Sequence, residues 1–426
     1  MPDRHRRTRR ARRAAAIVTT LGALAGPAIA TGASTTPPGT FEPGSTDVTG
    51  ATASATSLDV AGDQLDALYQ SARAEGRVNL IGLPPDWVDY DDIVASFQRA
   101  YPDVAAQVQA PDSSSADQLA AVEAEAGTED MPDVLDIAAT VDVRAIEPTT
   151  WAPYQPTVWD DVPPQLRGRN AEWVASYYGV VAIAVNTDVL DDRPTTFVAL
   201  ADPKYVGEVT LTGDPSEDAT AFAVVMAAAL ANGGSLDDVM PGIEYFAALR
   251  ARGILADTPT AELPLDPVAT PVVLAWSTDV ARLAASGIPD TDEDGTPDAA
   301  PADLHWVVPS DGVYGASYAQ GVVAGGPHPN AGRLWIEHML SLETAADLLG
   351  GGAIPARLDG LAAAGGADLS VLGDLSPSTI VNSVRFARPE QVARALEVVV
   401  ENWAPMVADL PSPPTTPSSP SPTMTA

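Results

Sequence analysis

The residue types in this sequence that could recognise a ligand are aromatic rings and carboxylates, and they recur at the ends of predicted β-strands. In open α/β sheets, ligands bind beyond the carboxyl ends of the strands, so this recurrence predicts a binding site. Each residue taken alone is more typical of a core aromatic or a helix cap. The candidate ligand contacts are Asp86, Trp87, Asp112, Ser114, Tyr177, Tyr178, Asp214, Trp276, Asp279 and Tyr314.

Most of the residue patterns that enzymes need are missing. Cysteine is absent, which excludes thiol nucleophiles, disulfides, zinc ribbons and iron–sulfur clusters. The sequence has no G-x-S-x-G elbow, no phosphate-binding P-loop and no G-x-G-x-x-G after a strand. The four histidines form no H-E-x-x-H pair. We therefore predict binding without catalysis and no required cofactor.

A run of carboxylates around one glycine, the acidic loop Asp290–Asp298, is typical of a calcium-binding turn. An EF-hand would have Glu at its twelfth position, which is Pro301 here, so a full EF-hand is not expected. A calcium site and an acidic surface turn without metal both stay open. The candidate metal ligands are Asp290, Asp292, Asp294 and Asp298.

The charge balance excludes some classes of partner. The 426 residues contain 23 Lys plus Arg against 57 Asp plus Glu, which gives a formal net charge of −34. Seven arginines and one aspartate lie in the first 13 residues, so the remainder has 16 basic and 56 acidic side chains, a net charge of −40. Nucleic acids and anionic lipid surfaces need a basic patch, so neither is an expected partner.

Both ends of the chain have compositions that do not build a core. Residues 1–30 combine a basic head, a short apolar run and an Ala-x-Ala exit, as in an export signal. Residues 31–57 resemble a flexible spacer, and 411–426 a disordered Pro/Ser/Thr tail. Pro27 stands where a lipoprotein signal has its lipidated Cys. We expect an exported chain, in the periplasm, at the cell surface or secreted, without a lipid anchor through Cys.

Between these ends, predicted strands and helices alternate. Strands are predicted at 78–83, 104–108 and 133–138, with helices at 65–74, 91–101 and 116–126 between or before them. This alternation is typical of an α/β fold, and a parallel sheet covered by helices on both faces is the simplest arrangement. Further predictions are strands at 179–185, 208–211, 272–276, 304–308 and 318–324, and helices at 219–231, 236–251, 333–349 and 391–403.

The order of several segments resembles the extracellular solute-binding proteins of bacterial ABC importers, of the group with iron(III)-, polyamine- and aminoethylphosphonate-binding members. The similarity covers most of residues 65–405. The segments that carry it are Leu68-Tyr69 through Gly76-Arg77-Val78-Asn79-Leu80, Tyr178-Gly179-Val180 through Asn186-Thr187, Pro194-Thr195-Thr196-Phe197, Asp202-Pro203-Lys204-Tyr205-Val206-Gly207-Glu208-Val209, Val308-Pro309-Ser310-Asp311-Gly312 and His328-Pro329-Asn330 through Trp335.

The resemblance implies a two-lobed periplasmic-binding-protein type II fold with crossing hinge strands between the lobes. Lobe one would comprise 58–184 and 307–410, and lobe two 185–306. A small molecule would bind in the cleft, the lobes would close over it, and an ABC importer permease would receive it. We expect a monomer that binds its ligand unchanged. An extracellular enzyme or a scavenger without an importer remains the alternative.

Three ligand classes stay open, and a polyamine or other small organic cation ranks first. Iron(III) would use the adjacent phenols of Tyr177 and Tyr178, and a phosphonate would use helix N-termini at Ser113–Ser115 and Ser216. A cation would have aromatic walls and carboxylate counter-charges. The walls would be Trp87, Trp276 and Tyr314, and the counter-charges Asp86, Asp112, Asp214 and Asp279.

Overall fold

The computed structural model describes residues 58–138, 141–257, 259, 266–286 and 303–410. All of them belong to one compact unit of the chain. The expected signal, spacer, acidic loop and terminal tail lie outside the described residues. Within these ranges, no helix has both the length and the apolar character required to cross a membrane.

The strands of the described residues form one mixed sheet. They are β1 Arg77–Ile81, β2 Ala105–Gln109, β3 Val134–Ala138, β4 Val174–Asn186, β5 Val209–Leu211, β6 Val272–Trp276, β7 Leu304–Val307, β8 Tyr314–Val322, β9 Ile354–Pro355 and β10 Arg385–Phe386. The main order is β2-β1-β3-β8-β4-β6-β5, while β7 and β9 pair with β4 and β10 pairs with β8. The parallel pairs are β1–β2, β1–β3, β5–β6 and β8–β10; the central pairs β3–β8, β8–β4 and β4–β6 are antiparallel.

Strand β4 joins the two parts of this sheet. Residues 174–180 pair with β8, and residues 181–185 pair with β6. All 13 residues of β4 are buried. Because successive side chains of a strand point to opposite faces, the second half of β4 contributes to two separate hydrophobic cores. Val180, Ala182 and Ala184 lie in the first core, and Val181, Ile183 and Val185 lie in the second.

Helices cover the sheet. In chain order they are α1 Leu58–Glu75, α2 Tyr90–Ala100, α3 Ser115–Ala124, α4 Phe197–Leu200, α5 Ala219–Ala231, α6 Met240–Ala251, α7 Ser277–Ser286, α8 Pro329–Met339, α9 Leu342–Gly350, α10 Leu358–Ala364, α11 Pro377–Ser383 and α12 Pro389–Trp403.

Local sequence explains where several of these helices begin. Ser114 and Asp117 form a reciprocal capping box at the start of α3. Asp218 accepts a hydrogen bond from the Ala221 N–H and so caps α5. Nine of the 13 residues of α5 are buried, because its sequence is almost entirely apolar and leaves no polar face.

The two cores divide the helices between them. Helices α1, α2, α8 and α9 pack on the first core, and α5 and α6 pack on the second. Helix α12 also packs on the second core, through Ala395, Val399 and Trp403, although the sequence places it in lobe one. Val280 of α7 lies in the first core, although the sequence places it in lobe two.

The structure corrects four details of the sequence analysis. The sheet is not wholly parallel, because β8 returns antiparallel between β3 and β4. The helix predicted over 333–349 is two helices, and Ser341 starts the second one by capping the Thr344 N–H. The strand predicted at 318 begins at Tyr314. Helix α7 is not predicted, because its first residues, Ser277 and Thr278, are poor helix formers.

Candidate ligand-binding site

An aromatic cluster lies at the carboxyl end of β1 and the centre of the sheet. Trp87 comes from the loop between β1 and α2, Tyr177 from β4, and Tyr318 from β8, the strand paired with it. The Tyr177 and Tyr318 rings are stacked, with centroids 4.9 Å apart and an interplanar angle of 13°. The Trp87 ring is tilted against Tyr318 at 5.7 Å. We call Trp87, Tyr177 and Tyr318 the aromatic wall.

The backbone next to Trp87 is strained. Val88 and Asp89 both have positive φ, 47° and 61°. β-Branched residues such as Val88 rarely adopt this conformation. The loop is held from behind by Gly351, where a Cβ atom would lie 2.7 Å from the Val88 Cα. The absence of a side chain at Gly351 therefore lets the loop pack closely and places Trp87 beside the tyrosines.

A chain of hydrogen bonds runs inward from the aromatic wall. The Trp87 Nε1–H donates to the Tyr177 hydroxyl at 3.2 Å, and the Tyr90 hydroxyl donates to Asp136 Oδ2 at 2.8 Å. The two hydroxyls are 3.2 Å apart. Tyr90 has a single hydroxyl proton, so when that proton is on the Asp136 bond, Tyr177 is the donor to Tyr90. We call Trp87, Tyr177, Tyr90 and Asp136 the relay.

Asp136 ends the relay inside the protein. It is 6% exposed, and its Oδ1 atom has no hydrogen-bond partner among the described residues. Burial raises the pKa of this carboxyl to about 7, opposed by the Tyr90 hydroxyl and the nearby Gln320 amide. Gln118 holds the Asp136 backbone by two hydrogen bonds, at 2.9 and 2.8 Å.

A second group of polar residues follows β5 and β6. Asp279, in the first turn of α7, accepts a hydrogen bond from Thr220 at 2.9 Å and lies 3.6 Å from Arg282. Burial raises its pKa. Burial first, and then the charges of Asp136 and Asp279, raise the pKa of Tyr318. Both carboxylates are therefore near enough to Tyr318 to interact with it.

Three further predicted residues have partners of their own. Trp276 ends β6, is partly exposed, and its ring lies 5.9 Å from that of Tyr314. Tyr314 itself is buried in the second core. Asp214 accepts hydrogen bonds from the Ser216 N–H and hydroxyl, at 2.8 and 2.6 Å, so its carboxylate closes a local turn.

The structure does not bring the remaining predicted residues into the aromatic wall. Asp86 and Asp112 are exposed, and Ser114 caps α3. Tyr178 follows Tyr177 on β4, but its ring packs edge-on against Phe386 at 5.6 Å, away from the contacts of Tyr177. Adjacent side chains of a strand point to opposite faces, so the two phenols do not converge on one point.

Four residues of the site were not selected from the sequence: Tyr90, Asp136, Tyr318 and Gln320. Three of them had a signal. Asp136 is a charged residue within the apolar strand β3, which is unusual unless the carboxylate has a role or a partner. Tyr318 and Gln320 are two residues apart on β8 and so share a face. Nothing local in the sequence shows that Tyr90 meets them.

The candidate calcium ligands Asp290, Asp292, Asp294 and Asp298 lie outside the described residues. Among the residues that the structure does describe, no three His, Asp or Glu side chains are grouped so that they could hold a metal ion.

The fold defines a class: an α/β protein of the periplasmic-binding type II kind, with a cluster of aromatic and carboxylate side chains where the two parts of the sheet meet. The family model of bacterial extracellular solute-binding proteins matches residues 129–370, more than half of the chain. The chain belongs to this family. The matched range contains Asp136, Tyr177, Asp279 and Tyr318.

Solved structures agree with this fold. The chain is similar to a protein from Bordetella parapertussis described as an extracellular solute-binding protein, with a TM-score of 0.57 and 12% identity over 79% of this chain and 100% of that one. It is also similar to the spermidine/putrescine ABC transporter substrate-binding protein of Streptococcus pneumoniae, crystallised with calcium and HEPES: TM-score 0.53, 11% identity, 78% of this chain and 99% of that one. At these identities the likeness concerns the fold. No curated protein matches the chain by sequence.

Proposed function

We propose that this solute-binding protein serves an ABC importer and that its solute is a small organic cation such as a polyamine. The observation that carries the proposal is the aromatic wall together with two buried carboxylates, Asp136 and Asp279, whose charges act on Tyr318. Aromatic faces attract cations through their quadrupole, and carboxylates add a counter-charge. Trp87 remains partly exposed and available for such a contact.

Capture would work by closure of two lobes. We propose lobe one at 58–184 and 307–410 and lobe two at 185–306, with β4 as one of the crossing strands. A ligand that contacts both lobes stabilises the closed form, because it binds that form better than the open one; Trp87 would be a contact from lobe one. The importer permease would then take up the solute, which leaves the site chemically unchanged.

The geometry supports an organic cation over the other two ligand classes. A ferric ion bound by both adjacent tyrosines is not favoured, because Tyr177 and Tyr178 have different surroundings. An anion is not favoured at either helix N-terminus. Ser114 and Asp117 satisfy each other at α3, and the carboxylate of Asp218 already caps α5. A phosphonate at α5 would meet carboxylate charge.

The proposal includes location and assembly. The protein would act outside the cytoplasm, as its family implies, after export directed by residues 1–30, and it would act as a monomer. Calcium at the acidic loop is a separate proposal that the capture mechanism does not need.

Binding of putrescine and spermidine to the purified full chain tests the proposal. We expect saturable binding by calorimetry, and none for ferric citrate or aminoethylphosphonate under the same conditions. Trp87→Ala should weaken binding about tenfold, ~1.4 kcal/mol, which is within the range of a partly desolvated cation–π contact.

Two carboxylate variants provide a matched pair. Asp279→Asn should weaken putrescine binding, whereas Asp112→Asn removes the same charge from an exposed residue outside the aromatic wall and should not. Equal affinity in all three variants and the unmodified protein would exclude this site. Binding of iron or a phosphonate in place of the amines would exclude the cation.

A further inference from the structure

We propose that Asp136 is a buried counter-charge for the bound cation, acting through the relay, so that capture of the cation is coupled to loss of a proton from Asp136. This inference rests on the proposed function and adds to it a residue that determines charge specificity. Asp136 does not touch the ligand in this scheme; it acts on the aromatic wall through two phenols.

The first argument is the unpartnered carboxylate oxygen. Asp136 is more than nine-tenths buried, yet Oδ1 has no hydrogen-bond partner among the described residues. A buried, ionised carboxylate is costly unless it is paired with charge or fully hydrogen-bonded. The Tyr90 hydroxyl and the Gln320 amide favour the charged form, but no cationic side chain of the described residues is among the groups that shift this pKa.

The surroundings of Asp136 contain phenols and amides. Tyr90 faces it from α2, Tyr177 from β4 and Tyr318 from β8, and burial raises the pKa of all three phenols, so they are neutral near pH 7. The polar neighbours are Gln118 of α3 and Gln320 of β8. The Trp335 Nε1–H of α8 donates to the side-chain oxygen Oε1 of Gln320 at 3.1 Å. None of these side chains carries a positive charge, so a bound cation would be the first one near Asp136.

The second argument is proton accounting along the relay. When Asp136 is charged, Trp87 donates to Tyr177, Tyr177 to Tyr90, and Tyr90 to Asp136. Every donor points inward, and the Tyr177 hydroxyl proton is engaged. If Asp136 is neutral and donates to Tyr90, then Tyr90 must donate to Tyr177. Because an indole N–H can only donate, the Tyr177 proton then has no acceptor in the relay.

In that arrangement the charge state of Asp136 changes the hydrogen bonding of the aromatic wall. In the neutral state the hydroxyl of Tyr177, which is fully buried behind Trp87 and Tyr318, keeps an unpaired proton whose positive end opposes a cation. The charged state removes that free donor and adds a negative charge behind the rings. Since Asp136 has a pKa of about 7, both states are populated near neutral pH, and the cation selects the charged one. By linkage, binding must release protons and must tighten as pH rises.

Calorimetry with putrescine and the full chain tests this coupling. Titrations at pH 5.5, 6.5 and 7.5 in buffers of different ionisation enthalpy give the number of protons released, over a range where alkylammonium groups keep their protons. We expect release of a fraction of a proton per ligand, largest near pH 6.5, and a Kd about tenfold lower at pH 7.5 than at pH 5.5. Asp136→Asn should abolish the release and make Kd independent of pH.

Two further variants separate the relay from other carboxylates. Tyr90→Phe keeps Asp136 but removes the hydroxyl that links it to Tyr177, so it should reduce the pH dependence even if the Asn variant does not fold. Asp279→Asn should weaken binding at every pH and retain the proton release.

The outcomes distinguish the two proposals. Putrescine binding without proton release in the unmodified protein overturns the role of Asp136 and leaves the cation site intact, as does a release that is lost only with Asp279→Asn. Absence of putrescine and spermidine binding at every pH overturns the proposed function and this inference with it.

Discussion

The burial of Asp136 predicts how the free energy of unfolding of the ligand-free protein changes with pH. Burial raises the pKa of the Asp136 carboxyl to about 7 in the folded protein, against 3.8 for an ordinary aspartate. The folded state thus favours the protonated form. Below pH 4 the carboxyl is protonated in both states. Between pH 4 and 7 the unfolded chain loses this proton and the folded protein retains it, so this residue makes folding progressively less favourable as pH rises.

The size of the effect follows from the pKa difference. A pKa difference of about three, at ~1.36 kcal/mol per pH unit, lowers the free energy of unfolding by about 4 kcal/mol, as an order of magnitude, between pH 4 and pH 7.5. Asp136→Asn has no titrating group, so its free energy of unfolding should not include this loss. We expect the variant to gain about 4 kcal/mol relative to the unmodified protein as pH rises across that range.

Urea unfolding followed by far-ultraviolet circular dichroism at half-unit pH intervals measures this difference. Because the comparison is between two proteins at each pH, the titration of the other carboxylates cancels. Asp112→Asn, which removes an exposed carboxylate, is the control and should give a profile parallel to that of the unmodified protein. Parallel profiles for Asp136→Asn as well would refute the argument that burial holds this carboxyl neutral.

Three other predictions concern the surroundings of the site. Gly351→Ala should weaken putrescine binding and lower stability by about 1–3 kcal/mol, because its Cβ would lie 2.7 Å from the Val88 Cα. Gly350→Ala is the control and should be nearly neutral, because the nearest contact of its Cβ is at 3.8 Å. Equal thermal unfolding and equal affinity of the two variants would contradict this packing. Tyr177→Phe should change the pH dependence of putrescine affinity and Tyr178→Phe should not, since only the former hydroxyl belongs to the relay. Calcium should bind at the acidic loop with at most millimolar affinity, and calorimetry on the full chain that shows no heat of binding at that concentration ends the proposal.

Local patterns predicted much of the fold. The strands at 272–276 and the helix at 219–231 have the predicted bounds, because each is a continuous apolar run that ends at a capping or turn residue. The antiparallel return of β8 was not predictable in this way, since strand direction depends on which strands meet in space. The division of 333–349 into two helices depends on one cap at Ser341, which the apolar period does not reveal.

The candidate site was predicted in part. Trp87, Tyr177 and Asp279 follow or lie within strands at places where a ligand-binding edge is expected, and a sequence pattern can identify such residues. A sequence pattern does not show whether residues that are adjacent in the chain point to the same site. Tyr177 and Tyr178 are adjacent in the chain, but the pleat of β4 sends the two rings to different surroundings.

The sequence by itself determined the α/β class, the exclusion of thiol and zinc-ribbon chemistry, the strong acidity and the aromatic residues available for recognition, because these follow from composition and local periodicity. Only the tertiary structure decided that Tyr90, Asp136 and Tyr318 form one connected group. These residues come from α2, β3 and β8. Tyr90 and Asp136 are 46 positions apart in the chain, and Tyr318 is farther from both. Their hydrogen bonds, and the burial that raises the Asp136 pKa, exist only after those elements have packed together.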